Sequence, residues 1–335
     1  MVSKSLIVLA AVALVLTTVS CGGSVCVGYG CAYWDPCYPW CPYSGFAGFD
    51  PFVARAATAG DFDADGKLDV VILDEADTLR HEDGGETALE GGTTEARRLL
   101  PAHLDDDGLL DLVVLGMDTG TIEVLLGTGD GRFLPTTGPQ APSFLVDLVD
   151  ADCAHVDADG LTDLVVLHAD GRLTVHAIDG TGSFGAATTT VDVGGAHFEA
   201  NAQLVCAELD GLPGTDVAVV SPVAQEVVLL SGRGEGSFER PLALAAQIPE
   251  RLLDATWSDG IPADLVLLFD SAMDEDHRLV RLYLHGENAG LLAEDTTGVR
   301  QATQVATADL TGDGVPDLLL VDAETGRVEA LETVR

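Results

Sequence analysis

The sequence predicts an all-β fold, a β-propeller of six blades with seven as the alternative, from three observations. An acidic loop motif occurs six times, starting at residues 61, 103, 155, 208, 256 and 309, which are 42 to 53 residues apart. Each loop leads into a run of apolar, β-forming residues, and hairpin signatures follow several of these runs. Units of this size cannot bury a core alone, and radial stacking into a propeller leaves only short, protected edges.

The first acidic loop, DFDADGKLDVVIL from Asp61 to Leu73, has the ligand spacing of a hard cation. Such a cation takes roughly six to eight oxygen ligands, and a turn at Gly66 would direct the alternating carboxylates to one point. The predicted calcium ligands are Asp61, Asp63, Asp65, Asp69 and a backbone carbonyl near Lys67. An EF-hand is excluded because its twelfth position is Ile72 rather than Glu and a strand, not a helix, follows.

Two positions are constant in character across the six copies. The second is always apolar, and the ninth is always aspartate. The apolar residues are Phe62, Leu104, Val156, Leu209, Trp257 and Leu310, and the aspartates are Asp69, Asp111, Asp163, Asp216, Asp264 and Asp317. Alternating apolar residues that end in a Gly/Asp turn follow at 120–133, 171–185 and 225–238, so each unit is predicted to hold three or four short antiparallel strands.

The segments DFDADGKLDVVIL, LLGTGDGRF and GSFGAA resemble the FG-GAP/VCBS repeats of the integrin-α N-terminal-like propeller superfamily, over about residues 45–335. In that family the acidic loop binds Ca²⁺ on one face of the propeller. The resemblance implies one calcium site in the first loop and another in the sixth, with the ligands Asp309, Thr311, Asp313 and Asp317.

The other four loops depart from the family pattern. The second and third begin with His103 and His155, which predicts weaker metal binding by Asp105, Asp107, Asp111, Asp157, Asp159 and Asp163. Either the imidazoles ligate a softer metal or, as favoured, each replaces a ligand and hydrogen-bonds a neighbouring aspartate. The fourth loop has Leu212 and Pro213 at two motif positions, and the fifth has lost the frame, so both are predicted to close without metal.

Closure of the ring is expected to need the N-terminal segment. The last unit ends at GRVEALETVR, which aligns with a third strand. The segment Gly48–Phe52 is similar to residues 236–242. We therefore expect it to add the missing outer strand and so remove an exposed edge.

The N-terminal end predicts export. Residues 1–20 read as a lipoprotein signal peptide, with lipid attached at Cys21, and an ordinary signal peptide is the alternative. Gly22 then favours an outer-membrane or cell-surface location. The tether, 21–44, carries four cysteines that are expected to form two disulfides in one of three pairings, with a Cys₄ metal site as the alternative. These are Cys26, Cys31, Cys37 and Cys41; Cys153 and Cys206 are expected to be buried free thiols.

The net charge and the motifs limit the possible classes of function. The net charge of −39, from 55 acidic and 16 basic residues, excludes nucleic acid as a partner and leaves membrane contact to the lipid alone. No catalytic motif is present, so we expect a monomeric binding, adhesion or scaffold module for a protein or glycan, not an enzyme. The candidate binding segments are Gln140–Asp150 and Asp270–Arg278. The alternative is a polysaccharide-active lyase or hydrolase built on a propeller.

Overall fold

The computed structural model describes residues 54–81, 85–89, 96–116, 119–136, 140, 142–193, 202–224, 226–239, 242–245, 252–258, 264–269, 278–283, 290–292, 302–309, 317–322 and 327–331. These residues are mostly β-strands and tight turns, with one short 3-10 helix at Ser143–Leu145. Within these ranges, none of the helical structure is long and apolar enough to span a bilayer.

The first three sheets each contain four antiparallel strands in chain order. The first sheet is β1 (Ala54–Gly60), β2 (Asp69–Asp74), β3 (Thr78–His81) and β4 (Glu86–Ala88). The second is β5 (Ala96–Ala102), β6 (Asp111–Gly116), β7 (Thr121–Gly127) and β8 (Phe133–Pro135). The third is β9 (Leu148–Ala154), β10 (Asp163–His168), β11 (Arg172–Ile178) and β12 (Phe184–Asp192).

The remaining described strands form three further sheets. The fourth is β13 (Gln203–Ala207), β14 (Asp216–Ser221), β15 (Glu226–Leu230) and β16 (Leu242–Ala245). The fifth is β17 (Leu252–Ser258), β18 (Asp264–Phe269), β19 (Arg278–Tyr283) and β20 (Gly290–Leu292). The sixth has three strands, β21 (Gln304–Ala308), β22 (Asp317–Asp322) and β23 (Arg327–Leu331).

The acidic loops join the first and second strands of the sheets, and the ninth-position aspartate of every copy begins the second strand. These second strands are rich in Val, Leu and Ile, and β6, β10 and β14 are buried along their whole length. Such uninterrupted apolar runs form strands because both faces of the sheet are covered by neighbouring sheets. The predicted loop-to-strand order, rather than loop-to-helix, is therefore confirmed.

The sheets are packed around a ring. Each first strand contacts the first strand of the next sheet, in the order β1, β5, β9, β13, β17, β21, and β21 also contacts β1. The hydrophobic core lies between sheets: Leu73 of the first packs with Leu112 of the second, and Val70 of the first packs with Leu319 of the sixth. The prediction of an all-β propeller is confirmed.

Several sequence predictions fall outside the described residues. These are the signal peptide, the lipid site at Cys21, the four tether cysteines and the closing segment Gly48–Phe52. The predicted third strand of the last unit is described as β23, and it pairs with β22 from Asp322↔Arg327 to Leu318↔Leu331.

Candidate metal loops

In the first loop, aspartate side chains hydrogen-bond the loop's own backbone and so fix its course. The amide of Asp65 donates to Asp63 Oδ1 at 2.9 Å, and the amide of Lys67 donates to Asp65 Oδ1 at 2.9 Å. Each carboxylate thus bonds the backbone two residues further on, which is the Asx turn that aspartate favours. The backbone turns left-handed at Gly66, where φ is +85°, a conformation that glycine adopts without steric cost.

This winding brings three carboxylates together. One ligand atom each from Asp61, Asp63 and Asp65 lies within 4.8 Å of the other two. Asp61 Oδ2 accepts the amide of Gly66 at 3.1 Å, whereas Asp61 Oδ1 is buried and has no hydrogen-bond partner. A buried carboxylate oxygen without a donor is costly, and a cation would satisfy it. The donor set, all oxygen, fits a hard divalent ion such as calcium.

A lysine lies at the open side of the same loop. Lys67 Nζ is 2.7 Å from Asp65 Oδ2, and its hydrogen bond is the leading cause that lowers the pKa of Asp65. Both side chains are well exposed, so the pair contributes little to stability. The lowered pKa keeps Asp65 ionised. The role of the Lys67 carbonyl as a metal ligand stays a prediction.

The ninth-position aspartate ties the loop to the hairpin of its own sheet. Asp216 Oδ2 accepts the amide of Leu209 at 2.7 Å, and Asp216 Oδ1 accepts the amide of Gly232 at 2.8 Å. Asp111 bonds Leu104 and Gly127 in the same way. Burial is the leading cause that raises the pKa of both carboxyls, and these backbone hydrogen bonds oppose that rise.

In the first loop, the ninth residue stands apart from the convergent carboxylates. Asp69 Oδ2 accepts the amides of Phe62 and Asp63 at 2.9 and 3.1 Å, and Asp69 is not in the group formed by Asp61, Asp63 and Asp65. The invariance of this position across all six copies therefore has a structural explanation that does not require metal.

Replacement of Asp216 by Asn tests that explanation. The amide nitrogen of asparagine cannot accept, so either Gly232 N–H or Leu209 N–H loses its partner in a buried position. We expect a loss of about 1–3 kcal/mol in the free energy of unfolding, measured by denaturant titration with excess chelator. The matched change Asp61→Asn should destabilise the chain less than Asp216→Asn does in chelator, because it also removes a charge whose buried Oδ1 has no donor. Equal effects of the two changes would contradict the structural role.

The histidines of the second and third loops bond backbone rather than carboxylate. His103 Nδ1 lies 2.9 Å from the carbonyl oxygen of Leu109, and His155 Nδ1 lies 2.8 Å from that of Leu161. The two rings are stacked, with centroids 6.4 Å apart. The prediction that an aspartate is the hydrogen-bond partner is wrong. Instead, each imidazole Nδ1–H donates to the backbone carbonyl of the seventh loop residue. In the first loop, the carbonyl at this position is predicted to be a ligand of the ion.

Two further sets of three carboxylates converge among the described residues. The second loop brings together Asp105, Asp107 and Asp111, as the sequence predicted. The fourth brings together Glu208, Asp210 and Asp216, in a loop that is predicted from the sequence to close without metal. None of the convergent groups in the described residues includes a histidine or the third-loop residues Asp157, Asp159 and Asp163.

The carboxylates of the fourth loop converge because the first and third motif positions are acidic, and the closure of this loop without metal stays a prediction. Its carboxylates already have protein donors: Gly211 N donates to Glu208 Oε1 at 2.6 Å, and Ser231 Oγ donates to Asp210 Oδ2. Among the described residues, no oxygen of the three convergent carboxylates of this loop is buried without a hydrogen-bond partner, unlike Asp61 Oδ1 of the first loop, so the fourth loop has less need of a cation. In the sixth loop, Thr311 and Asp313 lie outside the described residues, while Asp309 precedes the gap and Asp317 is buried at the start of β22.

The loops also fasten neighbouring sheets. Gly131 N donates to Phe62 O at 3.3 Å, and Gly236 N donates to Val156 O at 3.1 Å. Phe62 packs edge-on against Phe133 of the second sheet, with ring centroids 5.2 Å apart. The first and third loops are therefore each hydrogen-bonded to the hairpin of the following sheet.

A buried ionic network joins three sheets near the ring centre. Arg98 of β5 donates to Asp150 Oδ2 at 2.8 Å, and the same oxygen accepts the amide of Leu204 at 2.7 Å. Asp152 Oδ2 accepts the amide of Cys206 at 2.9 Å. Burial raises the pKa of Asp152 to about 6, although Arg98 and the backbone donors act against it.

Two other predictions are modified here. Cys153 and Cys206 are free thiols, but only Cys206 is fully buried, and burial raises the pKa of each well above its usual value. The candidate binding segment Gln140–Asp150 is not one loop, because Leu148–Asp150 belongs to the inner strand β9. Of the second candidate segment, Arg278 is described, as the first residue of β19.

Comparisons with known proteins support the fold and go no further. No protein-family profile and no curated protein matches the chain. Among solved structures, BBS1N in complex with ARL6DN has a TM-score of 0.52 at 12% identity, covering 87% of this chain and 94% of that one. A lectin of Agrocybe aegerita that recognises non-reducing terminal N-acetylglucosamine has a TM-score of 0.50 at 16% identity, covering 85% and 78%. At such identities the likeness shows a propeller fold alone.

Proposed function

We propose that this protein is a calcium-stabilised propeller of the FG-GAP/VCBS type, held at the cell envelope, that binds a protein or a glycan. The observation that carries the calcium assignment is the first loop, where three carboxylates converge and a buried oxygen of Asp61 has no protein donor. Asp61, Asp63 and Asp65 would hold the ion, and by sequence Asp309, Thr311 and Asp313 would hold another. The bound ion would neutralise charge that otherwise repels within the loop.

The six sheets are inferred to be the six blades of this ring. Supporting this, β21 and β22 contact β1, and Val321 packs with Ala54 and Ile72 in one apolar cluster. The sixth sheet has three described strands, and its outer edge is β23. We infer that Gly48–Phe52 pairs with β23 as the fourth strand, which would link the tether directly to the ring.

The envelope location rests on the sequence of residues 1–44. A signal peptide over residues 1–20, followed by a cysteine-rich tether that begins at Cys21, would place the ring in an oxidising compartment outside the cytoplasm. Attached acyl chains would then provide the membrane anchor, and the acidic ring would stand away from the anionic lipid surface. Two disulfides among Cys26, Cys31, Cys37 and Cys41 would stiffen the tether.

Binding is favoured over catalysis because the convergent carboxylates are committed to loop structure. Asp111 and Asp216 each accept backbone amides through both oxygens, so they are positioned to hold the loop rather than to exchange protons with a substrate. Of the two structural neighbours, one is described in complex with ARL6DN and the other recognises non-reducing terminal N-acetylglucosamine. Protein or glycan recognition is therefore the class of activity to test first.

The test is a binding screen of the full chain, lipidated or with Cys21→Ser, against glycan arrays and isolated envelope proteins. Each ligand is measured with calcium, with chelator and with the Asp61→Asn variant. We expect saturable binding to one ligand class, weakened when calcium is removed, and no change in the ligand. Reproducible turnover of an acidic polysaccharide, seen as new double bonds or reducing ends, would overturn the proposal in favour of a lyase or hydrolase.

A further inference from the structure

A chain of hydrogen bonds crosses the third sheet through two buried histidines. His168 at the end of β10 and His176 on β11 lie on either side of Thr174, and the three side chains are 3%, 2% and 4% exposed. His168 Nε2 is 2.8 Å from Thr174 Oγ1, and His176 Nε2 is 2.9 Å from the same oxygen. The outer ends of the chain are the carbonyl oxygens of Val146 and Gly185.

The carbonyls fix the tautomer of both rings. His168 Nδ1 is 3.2 Å from Val146 O, and His176 Nδ1 is 3.0 Å from Gly185 O. A backbone carbonyl can only accept, so each Nδ1 must carry a hydrogen. In a neutral ring the other nitrogen then carries none, and both Nε2 atoms are acceptors.

Counting protons shows that the neutral network is one short. The hydroxyl of Thr174 has one hydrogen, which it can donate to His168 or to His176 but not to both. The other Nε2···Oγ1 contact then has no hydrogen between two lone pairs, although the atoms are within hydrogen-bond distance. One added proton on either Nε2 completes all four bonds. A second added proton would place two imidazolium cations side by side. It would also leave the hydrogen of the Thr174 hydroxyl without an acceptor in this network of hydrogen bonds.

We propose that His168, Thr174 and His176 form a binding site for one proton, a pH-sensitive device built into the third sheet. The site is closed to larger cations, because all three side chains are buried and the ring of Phe144 stacks on His176 with centroids 4.1 Å apart. The tautomers that a bound metal would need are present, but the position between the nitrogens is filled by the Thr174 hydroxyl.

Burial and neighbouring charges determine the pH at which the network takes up the proton. Burial is the leading cause that lowers the pKa of both rings, so the network is neutral at neutral pH and fills on acidification. Asp147 and Asp170 face His168 and favour its charge, while Arg172 opposes it. Arg172 is itself paired with Asp170, and Asp192 of β12 lies opposite Arg172. On β9 the residue opposite His168 is the apolar Leu148.

The proton acts on the segment that enters the third sheet. Val146, whose carbonyl ends the network, is 62% exposed, and the next residue, Asp147, has a left-handed backbone with φ of +58°. The chain of hydrogen bonds links this exposed segment through β10 and β11 to Gly185 on β12. Because burial lowers the pKa of both rings, the folded chain holds the added proton less readily than the unfolded chain does, so mild acid weakens the third sheet next to a surface segment that a partner can reach.

The experiment is an imidazole ¹⁵N correlation spectrum of the full, calcium-saturated chain, recorded between about pH 8 and about pH 5, with signals assigned by His168→Gln and His176→Gln. We expect both rings to keep Nδ1–H throughout and to take up one proton between them, their Nε2 signals moving together. A bare Nδ1 in either ring, or uptake of one proton by each ring independently, would overturn the proposal.

A matched pair of variants isolates the hydroxyl. Thr174→Val removes the shared acceptor, so proton affinity of the rings should fall about tenfold or more, because an imidazolium without a partner is left buried. Thr188→Val removes a hydroxyl that donates to Val175 O in the same sheet, and it should leave the titration unchanged. An unchanged titration in Thr174→Val would also overturn the proposal. If Thr174→Val does not fold, the wild-type spectra decide alone.

Discussion

Removal of calcium is expected to lower the melting temperature of the full chain by on the order of 10 °C. An ion that binds only the folded form at a hundred times its dissociation constant adds about 2.7 kcal/mol, so two sites add about 5 kcal/mol. The measurement is thermal unfolding with calcium and with excess chelator. The calcium-dependent rise should be reduced in Asp61→Asn and in Asp309→Asn, and nearly lost in the double variant.

The third loop supplies the control for that prediction. Asp157→Asn removes a third-loop carboxylate, but His155 already bonds the carbonyl of Leu161 in that loop. We expect this variant to leave the free energy of stabilisation by calcium unchanged to within about 0.5 kcal/mol. A melting temperature that is the same with calcium and with chelator would contradict a structural role for the metal.

Replacement of Arg98 by Met is expected to destabilise the ring by about 3–5 kcal/mol at neutral pH, because it leaves the buried carboxylate of Asp150 without its cation. Asp150 is 2% exposed and its carboxylate also holds the amide of Leu204. Burial is the leading cause that raises the pKa of Asp150, and Arg98 opposes it. Without Arg98 the carboxyl protonates more readily, so the destabilisation should shrink as the pH is lowered. Denaturant unfolding at several pH values measures both effects.

Two variants make the Arg98 result specific. Arg172→Met breaks an ion pair with Asp170 in which both side chains are about half exposed, and it should cost less than about 1 kcal/mol. The double variant Arg98→Met with Asp150→Asn removes the stranded charge and should recover part of the loss, since an Asn oxygen can still accept the amide of Leu204. Equal costs for Arg98→Met and Arg172→Met would contradict the assignment of a buried network.

The fold could be predicted from the sequence because its period is long and its signals are local. Six aspartates at the ninth position mark the first residue of six second strands, and the second-position apolar residues are buried wherever the structure describes their side chains: Phe62, Leu104, Val156 and Leu209. Turn glycines such as Gly66 and Gly160 occupy left-handed backbone that a loop of this shape requires. These features depend on neighbours in sequence, which a repeat displays several times over.

The site was only partly predictable because the roles of individual carboxylates depend on contacts distant in sequence. The loop pattern predicts Asp111 as a metal ligand, yet one of its oxygens accepts the amide of Gly127, sixteen residues away. The inter-sheet network of Arg98, Asp150 and Leu204 spans more than a hundred residues and has no motif. His168 and His176 are not part of the repeat pattern, and their shared contact with Thr174 emerges only from strand pairing.

The measurement that tests the central claim most directly is a count of bound calcium. The full chain is dialysed against buffered calcium, and bound metal is determined by elemental analysis beside Asp61→Asn, Asp309→Asn and the double variant. The account predicts that each single variant loses one ion relative to the wild type and that the double variant loses two. Equal calcium content in all four proteins, or none in the wild type, would contradict it.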